Sequence, residues 1–429
     1  TVQLHKPPES SLIQRVIRLV EQAKTSQPPS QQFLERFERG YARLIVVSGL
    51  LLALVPPLLL GWSWEVTIYR ALVFLVVASP CALMASIMPT LLSGIARGAR
   101  QGILFKDGAQ LETIGRVRAI AFDKTGTLTT GILQVSDLIP ASSFQTEQVL
   151  QTVASLEAYS EHPIAQAIVQ TANKQNLALQ AADAVQAEVG QGITGSLNGI
   201  PTRVGKLSYV AADQLDSVDP YLRQAEQRLE REGKTVIWVS QRQQVLGLLA
   251  VADQVRPQSA GLLKVLRTMG IPATVMLTGD NDATAQTVAQ GIGVTEVYSN
   301  LLPEDKVDAV KQLQQRYRTV AMVGDGINDA PALAQASVGI AMGGAGSDVA
   351  LETADIVLMA DRLEKLEEAI RIGKRSQRII KQNITLALIS IALLMVANFL
   401  GELTLPAGVL GHEGSTLLVT LNGLRLLRG

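Results

Sequence analysis

Residues 121–131 read Ala-Phe-Asp-Lys-Thr-Gly-Thr-Leu-Thr-Thr-Gly: one carboxylate ends an apolar run, and small turn-forming residues follow it. Residues 117–122 have the composition of a buried strand, and open α/β sheets bind ligands outside the carboxyl ends of their strands. An acid delivered there either ligates Mg²⁺ or attacks phosphorus as a nucleophile. Two later stretches repeat the pattern. Thr278-Gly279-Asp280 closes the apolar run 274–277, and Gly324-Asp325-Gly326-Ile327-Asn328-Asp329 closes the run 319–323. Lys306, in Leu-Pro-Glu-Asp-Lys (302–306), adds the positive charge that a transferred phosphoryl group needs. Aspartate at such places commonly caps a helix, a role open to Asp123 and more so to Asp280 ahead of Asn281. For Asp325, the flanking glycines and the Asn328-Asp329 pair leave too many polar residues for a cap to explain.

Bulk composition narrows the class. The 429 residues carry 38 basic and 38 acidic side chains, a balance that argues against a nucleic-acid partner. The single cysteine, Cys81, excludes an internal disulfide and a CxxC zinc site. Nearly half the residues, 47%, are hydrophobic, and their distribution matters more than their number. Four runs, 41–60, 68–94, 384–400 and 406–427, are apolar over about the 20 residues that a membrane-spanning helix needs. The first has no polar face for a soluble surface.

Charge sets an orientation. Arg36, Arg39 and Arg43 precede the first run and Arg97, Arg100 and Lys106 follow the second. Arg371, Lys374, Arg375, Arg378 and Lys381 precede the third, and Arg425 and Arg428 close the fourth. The connections 61–69 and 401–411 hold no Lys or Arg, and Trp62, Trp64 and Tyr69 suit a membrane interface. The expected topology is two hairpins with cytoplasmic ends. Between them, strand-like runs 117–122, 274–277, 319–323 and 338–341 alternate with amphipathic helical stretches, the signature of a parallel α/β sheet. Residues 132–250, with the hairpin-like Gly-Ser-Leu-Asn-Gly-Ile at 195–200, read as an inserted domain.

The strings DKTGT, TGD and GDGxNDAPAL, in this order, resemble the P-type ATPases, whose phosphorylation domain is haloacid-dehalogenase-like. The resemblance implies an α/β phosphorylation domain, an inserted α+β nucleotide-binding domain and four transmembrane helices in two pairs, using ATP and Mg²⁺. By matched position, Asp123 is the nucleophile that takes the γ-phosphoryl group. Asp325 and the main chain at Thr125 hold Mg²⁺ with Asp123. Thr278 and Lys306 contact the phosphoryl oxygens, Asn328 and Asp329 support the site, and Lys124, Gly279 and Asp280 complete the matched strings. Related phosphatases place an acid two residues past the nucleophile. Here it is Thr125, so water attack on an acyl phosphate should be slow.

Within the insert, Ser160-Glu161-His162-Pro163 resembles the nucleotide-binding signature of the heavy-metal-transporting branch. His162 with Glu157 would orient adenine, and Gly190 and Gly192 would let the backbone approach the nucleotide. Gly205 is carried over too, although the branch has asparagine where this chain has Lys206. In the second apolar run, Ser79-Pro80-Cys81 stands where these pumps usually carry Cys-Pro-Cys. With His412-Glu413-Gly414-Ser415-Thr416 it resembles the cobalt/zinc subgroup. Proline frees a carbonyl in a helix, and ionisable groups at membrane depth are expensive. One thiolate with nitrogen and oxygen donors suits a divalent borderline ion such as Co²⁺ or Zn²⁺. Ser79, Cys81, His412, Glu413 and Thr416 are the candidate ligands; an ordinary buried thiol and a solvated helix end are the competing readings.

No Thr-Gly-Glu of an actuator domain occurs, and the family's upstream helices are not recognisable, so the sequence reads as the later part of a longer architecture. The expected division is 1–40, a linker from actuator to membrane with Leu12 to Glu21 its matching segment; 41–94, a membrane pair; 95–131 and 251–375, the phosphorylation domain; 132–250, the nucleotide-binding domain; and 376–429, the second membrane pair. The expected setting is a prokaryotic plasma membrane with the catalytic domains cytoplasmic. Competing functions are a membrane-anchored phosphatase of the dehalogenase class and a non-catalytic metal-binding subunit. A pump for hard cations is disfavoured by the thiol.

Overall fold

The computed structural model describes residues 29–188, 190–211, 218–325, 327–343, 352–401 and 403–428, with 29–39 and 327 by their backbone alone. The linker segment 12–21 lies outside them. Chain contacts define two compact units: residues up to Ala121 with Val265–Pro272 and Lys306–Gly429, and residues Phe122–Lys264 with Ala273–Asp305.

The first unit holds the apolar helices. Among the described residues, three stretches are long and apolar enough to cross a membrane: Gly40–Leu59, Trp64–Arg100 and Lys365–Leu400. The first belongs to α1 (Pro29–Leu59), whose Leu44, Val47, Leu50, Leu51, Leu54 and Leu58 face outward. The second is no continuous rod. It is built from α2 (Trp64–Val77), α3 (Cys81–Met84) and α4 (Met88–Arg100), because Pro80 has no N–H to continue the ladder. The break is satisfied locally, since the Tyr41 hydroxyl donates to Ala78 O at 2.9 Å. The third is α14 (Lys365–Leu400), stopped by Gly401 at φ +84°. The fourth apolar run forms α15 (Leu405–Leu424) but is not among the three spans; His412, Glu413, Thr416, Thr420 and Asn422 dilute its hydrocarbon.

Polar groups join these helices. Asn383 of α14 is fully buried, donates to Ser86 O at 3.1 Å and accepts from Asn422 of α15 at 2.8 Å. Away from water such pairs act as glue between helices. The α/β part of the unit contributes β1 (Ile103–Phe105), α5 (Gly108–Ile114), α12 (Pro303–Tyr317), β11 (Val320–Gly324), α13 (Ala330–Gln335), β12 (Val338–Met342) and β13 (Ile356–Leu358). Helix α5 docks on α14, where Gln377 donates to Glu112 O at 2.6 Å and Arg97 of α4 pairs with Glu368 at 3.1 Å.

Strand β2 (Ala119–Asp123) is an interior strand of a seven-stranded sheet of order β1-β13-β12-β11-β2-β9-β10, where β9 is Ala273–Leu277 and β10 Glu296–Tyr298. Every residue of β2, β9, β11 and β12 is buried, as expected for strands covered on both faces. The pairings β9–β10, β11–β12 and β12–β13 are parallel, and edge strand β1 runs antiparallel to β13. The four expected strands are present, with ends shifted by one or two residues.

The second unit adds an antiparallel six-stranded sheet of order β3-β8-β7-β6-β5-β4. Its strands are β3 (Thr129–Pro140), β4 (Ala182–Glu188), β5 (Gly192–Leu197), β6 (Ile200–Gly205), β7 (Thr235–Gln241) and β8 (Gln244–Val255). One core gathers Leu150, Val153 and Leu156 of α6 (Thr146–Glu157) and Ile168 of α7 (Pro163–Lys174) with Val204 and Leu249 of the sheet. A second gathers Val210 of α8 (Leu207–Val210) and Leu222 and Leu229 of α9 (Pro220–Arg231) around the fully buried Trp238. The expected hairpin at 195–200 is β5–β6, turned by Asn198 and Gly199 at φ +51° and +77°. Two further helices are α10 (Ser259–Thr268) and α11 (Asp282–Ile292).

The end of α5 and the middle of α14 approach closely through a pair of glycines. A Cβ on Gly115 would lie 2.5 Å from the Gly373 carbonyl carbon, and one on Gly373 would lie 2.7 Å from Gly115 N. Neither neighbour is a side chain that can swing away. Gly373→Ala is expected to cost about 1–3 kcal/mol and lower the melting temperature in detergent, whereas Gly261→Ala, with open space around it, should not.

Candidate functional site

The site begins where β2 ends. Asp123 is only 6% exposed, and the chain leaves the strand through the turn Lys124–Leu128, with Gly126 at φ +72°. Only glycine enters that backbone region without strain. The turn is held from behind by Arg256, whose Nε donates to Thr129 O at 3.0 Å and whose Nη2 donates to Gly126 O at 2.8 Å. Ser259 Oγ donates to Leu128 O at 2.9 Å. Asp253 accepts the Gly131 N–H at 2.9 Å and the Thr129 hydroxyl. Asp253 and Arg256 were missed by the sequence reasoning. Their signal was an acid and an arginine three residues apart where the long apolar run of β8 closes.

In the same unit a cavity of about 660 Å³ is lined by Lys124, Thr125, Asp253, Asp280, Lys234 and Thr284 among others. Lys124 forms an ion pair with Asp280. The cap left open for Asp280 belongs instead to Asn281, whose side chain accepts from Thr284 N at 2.9 Å to start α11. Thr278 is buried and accepts the Asp280 N–H at 3.1 Å, which fixes the turn through Gly279. Thr127 is fully buried, and its hydroxyl has no partner among the described residues. An unpaired buried hydroxyl costs free energy unless a ligand oxygen meets it.

Asp325 follows β11, with Asn328 exposed and Asp329 buried behind it; Gly326 lies outside the described residues. Lys306 Nζ donates to Asp329 Oδ1 at 2.7 Å, both side chains being buried. Within the first unit, Asp325 and Asp329 each offer a carboxylate oxygen within 4.8 Å of the other. Such hard oxygen donors fit Mg²⁺.

The expected nucleotide residues lie in the second unit. Glu157 ends α6, and His162 caps α7 by accepting Ile164 N–H on Nδ1 at 3.2 Å. Histidine thus fills the ordinary structural role while its ring stays exposed. Gly192 and Gly205 are direct partners across β5 and β6. A Cβ on Gly192 would sit 2.1 Å from Val204 O, and one on Gly205 would sit 2.3 Å from Gln191 O. Gly190 has φ +75° and open space around it. Burial pushes the Glu157 carboxyl from 4.5 up to about 7.

In the apolar helices, Ser79 Oγ and Cys81 Sγ lie 3.0 Å apart at the break between α2 and α3, and Cys81 is exposed. Helix α15 packs against α3 and α4. It buries His412, whose Nδ1 has no partner among the described residues, while Glu413 faces outward. Thr416 and Ser415 donate to His412 O at 3.2 and 2.7 Å. Among the described residues Cys81, His412 and Glu413 form no group with converging ligand atoms.

The raised Glu157 pKa has a definite sign. The folded state holds a proton that the unfolded chain releases near 4.5, so stability is greatest below that value and falls as pH rises toward about 7. Glu157→Gln removes the ionisation. Hydrogen-exchange protection of α6 should rise in this variant at pH 8, by up to about 2 kcal/mol relative to its effect at pH 5. Equal effects at the two pH values would refute the buried-carboxyl account.

Known proteins resemble this chain over its whole length. The haloacid dehalogenase-like hydrolase family matches residues 117–337. The zinc-transporting ATPase of Bacillus subtilis (strain 168) is 46% identical over all of this chain, which spans 66% of that relative. The zinc/cadmium/lead-transporting P-type ATPase of Escherichia coli (strain K12) is 41% identical, and the chain spans 57% of it. The crystal structure of a zinc-transporting PIB-type ATPase in its E2.Pi state superimposes with a TM-score of 0.92 at 41% identity, covering 99% of this chain and 69% of that one. The chain belongs to the metal-transporting P-type ATPases, with a haloacid-dehalogenase-like catalytic fold.

Proposed function

We propose that the protein containing this stretch exports a divalent transition-metal ion by cycling through an aspartyl phosphate on Asp123. The observation that carries the reading is the buried Asp123 at the end of an all-buried strand and the head of a glycine turn held by Arg256. In the step proposed, an Asp123 oxygen attacks the γ-phosphorus of ATP, the bond to the bridging oxygen breaks, and ADP leaves with that oxygen. Lys306, oriented by Asp329, and Thr278 stabilise the charge on the transferred group. Mg²⁺ would be held by Asp123, Asp325 and the main chain at Thr125, and would neutralise phosphate charge. Thr125 stands where a phosphatase needs an acid–base carboxylate, which favours an intermediate that lasts through a conformational step. Glu157, His162, Gly190, Gly192 and Gly205 would form the adenine end.

The transported ion is proposed as Zn²⁺ first, with Co²⁺ the alternative. Relatives named for zinc, cadmium and lead support the divalent class. One thiol with imidazole and carboxylate donors supports a borderline ion over Cu⁺. Cys81 and His412 carry the ligand set, with Ser79, Glu413 and Thr416 beside them, and α15 would be the fourth membrane span, in a prokaryotic plasma membrane with the catalytic units cytoplasmic. Rearrangement is required, since His412 is buried and Glu413 faces outward in this state.

Labelled ATP tests the reading across a panel of Zn²⁺, Co²⁺, Cd²⁺, Ni²⁺ and Cu⁺. An acid-stable phosphoenzyme should form, vanish in Asp123→Asn, and lose its dependence on Zn²⁺ in Cys81→Ala. Label retained by Asp123→Asn, or metal-independent hydrolysis of small phosphate esters, would sink the proposal. Arg256→Ala should slow phosphoenzyme formation by roughly 10- to 100-fold, because the turn carrying Asp123 loses the fork that positions it.

A further inference from the structure

The basic residues before the third apolar run do more than orient a helix. Arg371, Lys374, Arg375 and Arg378 recur at the spacing that places them on one face of α14. With Arg425, the C-cap of α15, they line a cavity of about 380 Å³ that has no carboxylate in its wall. That volume lies in the range of small-ligand sites, roughly 300–1,000 Å³. Met269 and Ile379 give the cavity an apolar side. A positive-inside bias accounts for the number of these cations, not for two helices directing them into one hollow.

Protein groups answer only part of this charge. Arg371 pairs with Glu367 and lies 4.0 Å from Glu368, Lys374 donates to Met269 O, and Arg425 donates to Asn422 at 3.0 Å. Arg375 and Arg378 have no hydrogen-bond or ion-pair partner among the described residues. Arg375 is nevertheless half-buried. Like charges crowded on neighbouring turns repel unless an anion joins them. Guanidinium forks bind phosphate oxygens bidentately.

Depth identifies the source of the phosphate. The apolar run of α14 starts at Ile384, six residues or about 9 Å of helix beyond Arg378. The cavity therefore lies at the level of lipid headgroups, where basic pockets between membrane helices take anionic lipids. We propose that this cavity binds the phosphodiester headgroup of an anionic phospholipid from the leaflet facing the catalytic units, with Arg375 and Arg378 as its principal contacts. The proposal rests on membrane insertion and not on the identity of the transported ion.

Native mass spectrometry of the detergent-solubilised full chain tests it, with phosphatidylglycerol, phosphatidylcholine and inorganic phosphate as separate probes. Phosphatidylglycerol should be retained in preference to phosphatidylcholine and should not be displaced by inorganic phosphate at equal concentration. The double variant Arg375→Gln/Arg378→Gln should bind it roughly 30-fold more weakly. Arg375→Lys/Arg378→Lys, which keeps the charge, should lose less, and Arg100→Gln, an exposed cation at the end of α4 outside the cavity, should lose nothing. Equal retention of the two lipids, an unaffected double Gln variant, or an equal loss in Arg100→Gln would overturn the site. Displacement by inorganic phosphate would overturn the lipid assignment.

Discussion

The structure depends on one constraint: a carboxylate must be held at the end of a strand whose other residues are all buried. Taking an acid out of water costs several kcal/mol unless charge or hydrogen bonds compensate it. The chain meets this cost by turning immediately. Gly126 takes a left-handed backbone, the turn exposes its carbonyls toward Arg256, and Lys124 and Asp280 neutralise one another at the mouth. A longer or stiffer side chain at Gly126 would move the acid, and β8 would have to end elsewhere to keep Arg256 on the turn.

That constraint also explains what was legible in the sequence. The four expected strands are continuous apolar runs closed by a polar residue, and each lies where it was expected because a doubly covered strand tolerates no other composition. The strand-end acids could be read for the same reason. Lys306 was legible as a charge, but its partner Asp329 was not separable from Asn328 by sequence alone. Asp253 and Arg256 escaped because their work is to hold backbone carbonyls and N–H groups, and that leaves no periodic trace. The cap at the start of α11 was similarly ambiguous between neighbours. Asn281 takes it, and Asp280 keeps its charge for Lys124.

The nucleotide end shows a different limit. His162 was singled out for chemistry, and it also caps α7. The two roles are compatible, since Nδ1 is spent on the helix while the rest of the exposed ring stays available. Gly205 stands where the subgroup's usual neighbour is replaced, yet its pairing with Gly192 shows why glycine is kept: the two backbones approach too closely for a Cβ on either side.

The apolar helices were the least legible, for a physical reason. Hydropathy records length and composition, so it joined residues 68–94 into one run, whereas proline chemistry divides that run at Ser79-Pro80. The division leaves Ala78 O without a helical partner, and Tyr41 from α1 supplies it. A break satisfied by protein rather than water can persist at membrane depth. Ser79 and Cys81 are then fixed on a short, stiff segment between two helices instead of spaced along one. Nearby, the buried amide of Asn383 ties α14 to the segment before α4 and to α15. It follows that motion of α14 cannot leave α15 or the Ser86 region unmoved without stranding that amide. The polar contact that looks merely structural is thus able to transmit a shift of α14 to the helix carrying His412.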